Sequence, residues 1–243
     1  MKATEAHSKS EHILYDAERI ENPEASYFEV EHWRKRDALT GSAEGRGTTV
    51  FVQLAGEEYV LRHYRRGGMI ARLVDDRYFW TGLAQTRAWR EWHLLAELWK
   101  RDLPVPQPVA ARVSRQGLLY RADILLGKIP ETQTLADVLM NAALDAIFWK
   151  KLGQCLKKFH YQGVFHADLN ARNILLDGQG SFYLIDFDRG ELRQPQRSWQ
   201  QANCLRLKCS LDKFSEQAAR SQGHFYFNEA DWSVLLKAYE GNN

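Results

Sequence analysis

Short apolar runs separated by turn residues occupy the first half of the chain. Residues 49–54 (TVFVQL) and 59–64 (YVLRHY) are rich in β-branched and aromatic side chains, and the turn AGEE lies between them. Residues 109–113 and 117–126 form a second pair of such runs. Runs of this composition on either side of a turn are typical of β-hairpins, so the pattern predicts two antiparallel hairpins.

Helical spacing of apolar residues appears twice in the first half and predominates after Pro130. The longer helix of the first half is expected to end at the proline-rich sequence DLPVPQP, and Thr134 is expected to cap the first helix after Pro130. The predicted helices cover residues 26–36, 83–101, 134–140, 145–162 and 198–220.

A strand-rich first half and a helix-rich second half predict the α+β class, with two lobes joined near residues 128–131. Residues 1–12 (MKATEAHSKSEH) are polar, so we expect them to form a disordered tail. Residues 13–129 are expected to form a β-rich N-lobe with an antiparallel sheet and one long helix. Residues 130–243 are expected to form a short α-helical C-lobe.

Composition excludes several classes of protein. A net charge of +2 over 243 residues is too small to require a nucleic-acid partner. The three cysteines contain no CxxC pair, so neither a zinc site nor a disulfide framework is predicted, and a reducing cytoplasm fits. The N-terminus lacks the apolar core of a signal peptide, and no run of 18 apolar residues occurs. We therefore expect any membrane association to be peripheral.

Basic residues and tryptophans cluster locally. The basic clusters comprise Arg62, Arg65, Arg66, Arg72 and Arg77, and then Arg189, Arg193, Arg197, Arg206, Lys208 and Lys213. Each cluster is compatible with a solvated face or with binding of an anionic substrate or membrane. Trp80, Trp89, Trp92 and Trp99 lie beside or near basic residues, and core packing is the simpler interpretation of these rings.

The segment HADLNARN, residues 166–173, is followed by LIDFD at 184–188. Its order and spacing resemble the H-x-D-x-x-x-x-N catalytic loop and the D-F-G metal motif of the protein-kinase-like superfamily. The resemblance implies a bilobal kinase fold, with ATP and Mg²⁺ as cofactors. Asp168 is then the base that accepts the proton of the attacking hydroxyl, and Asn173 and Asp186 supply the two oxygen ligands for magnesium.

The first half contains a degenerate glycine-rich loop, Ala43-x-Gly45-x-Gly47-Thr48-x-Val50. By the same resemblance, the backbone at Gly45 and Gly47 approaches the phosphates, and Val50 covers the base. Ile129, near the junction of the two halves, is also assigned to nucleotide binding.

Arg62 stands where the superfamily has its phosphate-binding lysine in V-A-I-K. The two-residue period of a strand places Val60 on the same face as Arg62. Glu91, in the helix that follows, is the predicted partner of Arg62. Glu97 is the alternative, and either glutamate is also compatible with an ordinary surface salt bridge.

The departures from the superfamily pattern narrow the function. Ala167 replaces the arginine of H-R-D, so control by activation-loop phosphorylation is not expected. Asp188 replaces the glycine of D-F-G, and aspartate tolerates left-handed backbone geometry better than most residues. Asn170 and Arg172 are the predicted substrate-contacting residues, because they occupy positions where protein kinases have Lys or Arg.

Only residues 187–243 follow Asp186, and they contain no A-P-E motif. We expect this region to be too short for a helical platform that grips a peptide. The sequence therefore favours a small or lipid-linked hydroxyl as the phosphate acceptor.

Several longer segments carry a narrower resemblance: LRHYRRGG, AWREWHLLAEL followed by PVPQPVA, HADLNARNILLD, IDFDRG and SWQQANCLRLKCSL. They resemble the bacterial 3-deoxy-D-manno-octulosonic acid (Kdo) kinases over nearly the whole chain beyond the N-terminal tail. The resemblance implies ATP-dependent phosphorylation of the 4-hydroxyl of Kdo on a lipid A precursor, in lipopolysaccharide core biosynthesis. The enzyme would then act at the cytoplasmic side of the bacterial inner membrane, in peripheral contact with it and with an anionic glycolipid.

Alternatives remain at this level. A heptose kinase or an aminoglycoside-type small-molecule kinase would share the same catalytic loop. A RIO-like atypical protein kinase is disfavoured by the short C-terminal region. A pseudokinase that binds a partner without turnover is disfavoured by the intact Asp168, Asn173 and Asp186, and no obligate protein partner is evident.

Overall fold

The computed structural model describes residues 1–43, 49–65 and 76–241. The chain divides into two compact units. The first contains Met1–Asp102 and Pro106–Lys128, and the second contains Leu103–Val105 and Ile129–Asn243. Strands dominate the first unit and helices the second, which confirms the predicted α+β class.

The first unit is built on one antiparallel sheet. Its strands are β1 Ala3–His7, β2 Glu11–Asp16, β3 Leu39–Ala43, β4 Thr49–Leu54, β5 Glu57–His63, β6 Tyr78–Phe79, β7 Pro108–Gln116 and β8 Leu119–Gly127. The order across the sheet is β1-β2-β7-β8-β5-β4-β3, and β6 pairs with β8. The two hairpins predicted from the apolar runs are β4–β5 and β7–β8, and both are confirmed.

The disordered tail predicted for residues 1–12 is wrong. β1 pairs with β2, and β2 pairs with β7, so the N-terminus forms one edge of the sheet. Leu14 and Tyr15 of β2 are buried, whereas β1 is mostly exposed. An edge strand is held by backbone hydrogen bonds along one side only, so it needs no apolar side chains and its polar composition resembles that of a tail.

Helices cover both faces of this sheet. Val30–Lys35 forms α1, preceded by the 3₁₀ helix Ala25–Phe28, so the helix predicted for residues 26–36 is broken. Phe28 and Trp33 pack against core residues of the sheet such as Leu61. Arg87–Lys100 forms α2, which contacts β7 and β8 and buries Trp89 and Trp92. Trp80 and Trp99 are partly exposed, so core packing accounts for only two of the four tryptophans.

The second unit contains helices α3 Leu135–Asn141, α4 Ala146–Tyr161, α5 Arg197–Arg220 and α6 Glu229–Glu240. Its strands are β9 Thr132–Thr134, β10 Val164–Phe165, β11 Ile174–Asp177, β12 Phe182–Leu184 and β13 Glu191–Leu192. The strands form two small antiparallel sheets, β12-β11-β9 and β10-β13. Within the described residues, no helix combines the length and hydrophobicity needed to cross a membrane.

Capping residues set the helix starts in this unit. The Thr134 hydroxyl accepts a hydrogen bond from the Asp137 N–H at 3.1 Å, which confirms the predicted cap of α3. Helix α6 was not predicted, although Asn228 and Asp231 form a capping box at its start. That box is a recognisable sequence signal for a helix N-terminus.

Candidate active site

The loop from His166 to Asn173 connects β10 to β11, and a buried imidazole organises it. The Asp168 N–H donates to Nδ1 of His166 at 3.2 Å, and Nε2 of His166 lies 2.9 Å from the carbonyl of Ile185. One ring nitrogen therefore accepts and the other donates, which assigns a neutral imidazole with its hydrogen on Nε2. Burial favours this neutral form and lowers the pKa of His166, although the charges of Asp186 and Asp168 oppose the shift.

Asp168 combines a fixed backbone with an exposed side chain. Its carbonyl accepts hydrogen bonds from the side-chain amides of Asn170 at 3.0 Å and Asn173 at 2.9 Å, and its N–H is held by His166. The Asp168 carboxylate is exposed and makes no hydrogen bond among the described residues. A carboxylate on a rigid loop with open lone pairs can accept a proton from an incoming hydroxyl.

The structure assigns different positions to the two predicted substrate residues. The Asn170 amide makes three hydrogen bonds inside the loop: its oxygen accepts from the N–H groups of Arg172 and Asn173, and its nitrogen donates to the Asp168 carbonyl. The Asn170 side chain therefore shapes the loop, and its predicted contact with substrate stays a prediction. Arg172 is exposed, and its guanidinium lies 5.3 Å from the ring centre of Phe214 in α5.

The β11–β12 hairpin brings Asn173 and Asp186 to one end. Ile174 pairs with Leu184, and the Ile185 N–H donates to the Asn173 carbonyl at 3.0 Å. Asn173 therefore lies across the hairpin from Ile185, the residue that precedes Asp186. The Asn173 amide nitrogen donates to the Asp168 carbonyl, so the amide oxygen of Asn173 can bind a cation. Asp186 adds a carboxylate. Two such oxygen donors fit Mg²⁺, which takes few protein ligands and retains waters and phosphate oxygens.

The backbone at this motif is left-handed, but not where the sequence suggested. Positive φ falls on Asp186 (63°) and Arg189 (60°) rather than on Asp188. Left-handed non-glycine residues are uncommon and cost free energy, and they concentrate at functional sites where the surrounding structure holds them. The left-handed conformation therefore falls on the candidate metal ligand itself.

In the first unit, Arg62 and Glu91 form a buried ion pair. Nη2 of Arg62 donates to Oε1 of Glu91 at 2.6 Å, and the Tyr64 hydroxyl donates to Oε2 at 2.5 Å. The Glu91 side chain is 1% exposed. The alternative partner, Glu97, pairs instead with Arg101 at 2.9 Å. Tyr64 was not predicted, although the two-residue period that relates Val60 to Arg62 extends to it.

The sheet register corrects the position of Val50. Val50 pairs with Leu61, and both side chains are buried in the core cluster that contains Trp33. Residues directly opposite on paired strands share a face, so Val50 lies on the face opposite Val60 and Arg62. Phe51 pairs with Val60 and Thr49 with Arg62, which makes Phe51 the aromatic neighbour of that face.

The remaining predicted nucleotide contacts are only partly described. Gly45 and Gly47 lie outside the described residues. Ile129 is half-buried at the start of the second unit, where its carbonyl accepts a hydrogen bond from the Thr132 hydroxyl at 3.2 Å.

Helix α5 is fastened to the catalytic loop at two points that the sequence analysis did not identify. The amide oxygen of Asn203 accepts from the His166 N–H at 3.2 Å, and its nitrogen donates to the His166 carbonyl at 2.9 Å. Two turns later, the Ser210 hydroxyl accepts from the Ala171 N–H at 3.2 Å. Asparagine and serine are unremarkable in an exposed helix, so no local pattern marks these two as loop contacts.

Comparisons with known proteins agree with this geometry. Residues 30–239 match the model of the lipopolysaccharide kinase (Kdo/WaaP) family. The chain is 41% identical over 228 residues to the 3-deoxy-D-manno-octulosonic acid kinase of Vibrio vulnificus (strain YJ016), with 94% of each chain covered. It is 43% identical over 228 residues to the protein of the same name from Xanthomonas euvesicatoria pv. vesicatoria (strain 85-10), covering 94% of this chain and 89% of that one.

Proposed function

Because the chain belongs to the lipopolysaccharide kinase (Kdo/WaaP) family, we propose that it phosphorylates Kdo on a lipid A precursor in lipopolysaccharide core biosynthesis. The observation that carries this proposal is the match to proteins named Kdo kinase along 94% of the chain. The reaction is transfer of a phosphoryl group from ATP to an alcohol. We assign the 4-hydroxyl of Kdo as the acceptor.

Asp168 would act as the general base. The acceptor oxygen attacks the γ-phosphorus of ATP, its O–H proton passes to the Asp168 carboxylate, and the bond from the γ-phosphorus to the bridging oxygen breaks, releasing ADP. Two features support this role: the open lone pairs of the carboxylate and the backbone hydrogen bonds that hold Asp168 on both sides.

Asn173 and Asp186 would hold Mg²⁺ through the amide oxygen and the carboxylate. Bound magnesium neutralises negative charge on the phosphates of the nucleotide. The support is the chemistry of the donor pair and their adjacent positions at the end of the β11–β12 hairpin.

Arg62 would contact the nucleotide phosphates, with Glu91 and Tyr64 fixing the guanidinium. Arginine offers several donors in a rigid plane, so one guanidinium can pair with a carboxylate and also contact phosphate oxygens. Val60, on the same face, and Ile129 would contact the base, and the backbone at Gly45 and Gly47 would approach the phosphates. Phe51 replaces Val50 in this proposed set.

Peripheral contact with the cytoplasmic face of the inner membrane completes the proposal, because the acceptor is lipid-anchored. Two large apolar side chains are exposed on neighbouring segments of the first unit: Phe79 is 70% exposed and Leu118 is 77% exposed. The Trp80 N–H donates to the Leu118 carbonyl at 2.9 Å, which joins the two segments. Arg77 and Arg115 are exposed beside them, a combination suited to anionic phospholipid.

A vesicle-binding experiment tests this contact. Replacing Phe79 and Leu118 with Ser should weaken sedimentation of the protein with vesicles of anionic phospholipid. Ile147→Ser is the matched control, because Ile147 is exposed to a similar degree in α4 of the second unit. Equal binding by both variants would place the membrane contact elsewhere.

The acceptor is tested by a side-by-side transfer assay with labelled ATP and Mg²⁺. The four acceptors are a Kdo-bearing lipid A precursor, a heptose, an aminoglycoside and a peptide, and Asp168→Asn serves as the inactive control. We expect label on the Kdo glycolipid alone, and mass spectrometry of fragments should place the phosphate on the 4-hydroxyl. Efficient labelling of another acceptor class, with the Kdo glycolipid unlabelled, would contradict the proposed substrate.

A further inference from the structure

The two contacts that fasten α5 to the catalytic loop define one face of that helix. Asn203 holds the backbone of His166, and Ser210 holds the N–H of Ala171. Residues three and four apart lie on the same side of an α-helix. Arg206, three residues after Asn203 and four before Ser210, therefore lies on the side that faces the loop, between the two contacts. Asp168 lies between His166 and Ala171, the two loop residues that these contacts hold.

Among the described residues, Arg206 lacks the ion pairs that two other cations of α5, Lys208 and Arg220, form. Lys208 pairs with Asp212 and Glu229, and Arg220 pairs with Glu216. Arg206 is exposed and forms no ion pair with any residue that the structure describes. Its charge nevertheless reaches the loop, because it contributes to the lowered pKa of the buried His166, where burial is the main cause. Arg206 is thus an exposed cation whose charge acts on the buried histidine of the catalytic loop.

Arg172 brings a second cation to the same helix. Its guanidinium lies over the ring of Phe214, which follows Ser210 by four residues and so continues the loop-facing side of α5. Stacking on the ring orients the guanidinium while leaving its N–H donors available. Arg172 is exposed and forms no ion pair within the described part of the chain.

We propose that Arg206 and Arg172 bind an anionic group of the acceptor and so position its hydroxyl at Asp168. This inference rests on the proposed function and identifies the residues that recognise its substrate. Arginine pairs bidentately with carboxylate and with phosphate. The sugar acid supplies a carboxylate and the lipid carrier supplies phosphates, so both sources share the required chemistry. Two exposed cations that form no ion pair with a described residue are suited to such a ligand.

The primary test is the kinetics of Arg206→Ala. We expect KM for the Kdo glycolipid to rise about 10-fold or more, as for loss of a charge-assisted hydrogen bond, while KM for ATP stays within about 2-fold. Arg206→Lys should retain part of the acceptor affinity, because it keeps the charge but loses the bidentate geometry. Arg220→Ala, on the same helix but distant from Ser210, is the matched control and should behave like wild type. Thermal unfolding of each variant checks that the fold is intact.

Acceptor variants identify the anionic group. We expect the effect of Arg206→Ala to shrink to about 2-fold or less on one of two neutralised acceptors: the carboxyl methyl ester or the dephosphorylated lipid. Loss of the effect on the ester assigns the carboxylate, and loss on the dephosphorylated lipid assigns the phosphate; either supports the proposal. An undiminished effect on both acceptors would overturn it.

The outcomes separate this inference from the function on which it rests. If wild-type protein does not phosphorylate the Kdo glycolipid, the proposed function fails. If wild-type protein does so and Arg206→Ala keeps the wild-type KM for the acceptor, the function stands and the assignment of Arg206 is wrong.

Discussion

Arg62 on β5 and Glu91 on α2 are joined by a hydrogen bond of 2.6 Å with the carboxylate almost wholly buried. A carboxylate removed from water must be neutralised or hydrogen-bonded, and here Arg62 and Tyr64 together satisfy it. The pair links the sheet to the helix that packs against it. It also holds the guanidinium in one orientation, as the proposed contact with phosphate requires.

We therefore expect Arg62→Ala to remove most of the kinase activity, mainly through a higher KM for ATP. Arg62→Lys should retain part of it, because the charge remains but the planar donor set is lost. Arg62→Ala also removes the cation that pairs with the buried carboxylate of Glu91. It should therefore lower the free energy of unfolding by about 3 kcal/mol. Full activity in Arg62→Ala would move the phosphate contact to another residue, with Arg65 the next candidate.

Pairing Arg62→Ala with Glu91→Gln separates the two contributions. Glu91→Gln keeps a hydrogen-bonding side chain of the same size but removes the buried negative charge. The double variant should therefore be more stable than Arg62→Ala alone. Its activity should stay low, because the cation is still missing. Recovery of activity in the double variant would show that Arg62 serves only to neutralise Glu91.

The same region shows what the sequence can and cannot specify. The two-residue period of a strand correctly places Val60 beside Arg62, and the helical spacing of α2 brings Glu91 into reach. Val50 was assigned from its distance to a glycine pattern, and such a distance does not define which face a strand residue occupies. A shift of one residue moves a side chain to the opposite face. The pairing of Val50 with Leu61 decides the matter.

Most of the features that were missed lack an apolar signature, although α6 has one. β1 joins the sheet through its backbone, and Asn203 and Ser210 act on backbone groups far away in sequence. Such contacts depend on where other segments lie, which local composition does not encode. The catalytic loop was recognisable because its residues are close together in sequence and their chemistry restricts the choice of side chain at several positions at once.

A stability prediction follows from the contact of α4 with α6. An added methyl group at Gly153 in α4 would overlap the carbonyl of Leu235 in α6 and lie 3.2 Å from Cβ of Ala238. Backbone atoms of a packed helix cannot move aside cheaply, so Gly153→Ala should lower the free energy of unfolding by about 1–3 kcal/mol. Gly178→Ala, where an added methyl group meets nothing within 4 Å, should change it little. Chemical denaturation of both variants checks the difference, and equal stabilities would contradict close packing at Gly153.

Asp168→Asn should abolish phosphoryl transfer while leaving ATP affinity nearly unchanged. The amide is close in size to the carboxylate but cannot accept the proton of the acceptor hydroxyl, and loss of a general base costs on the order of 100-fold or more. Single-turnover kinetics measures transfer, and fluorescence titration with a nucleotide analogue measures affinity. Asp177→Asn is a control, since Asp177 is the last residue of β11, at the far end of the β11–β12 hairpin. Transfer at the wild-type rate by Asp168→Asn would exclude it as the base.

Asp186→Ala should raise the Mg²⁺ concentration needed for activity more than Asn173→Ala does, because a carboxylate contributes charge as well as an oxygen. Asp186→Asn should fall between Asp186→Ala and wild type. The measurement is activity against Mg²⁺ concentration at saturating ATP, accompanied by thermal unfolding with and without Mg²⁺ and a nucleotide analogue. An unchanged Mg²⁺ dependence in both alanine variants would show that the metal is held elsewhere.

Acid should destabilise the protein through His160, because burial lowers the pKa of this side chain. Burial in α4, where Nδ1 of His160 lies 2.7 Å from the Tyr239 hydroxyl, lowers the pKa of His160 to about 4. In the unfolded chain the pKa returns to about 6.5, so below that pH the unfolded state binds a proton that the folded state does not. The stability that depends on neutral His160 is present in full above about pH 6.5 and is lost as the pH falls toward 4. From pH 7 to pH 5 the loss from this group is about 2 kcal/mol.

The His160→Gln variant isolates this contribution. It should be less stable than wild type at pH 7, because the ring contacts with Trp199 and Tyr239 are lost. Its free energy of unfolding should fall less steeply between pH 7 and pH 5, since no proton is taken up at this position on unfolding. His224→Gln changes an exposed histidine and should keep the wild-type slope. Urea denaturation at several pH values gives the three slopes, and parallel curves for wild type and His160→Gln would show that His160 does not control the acid response.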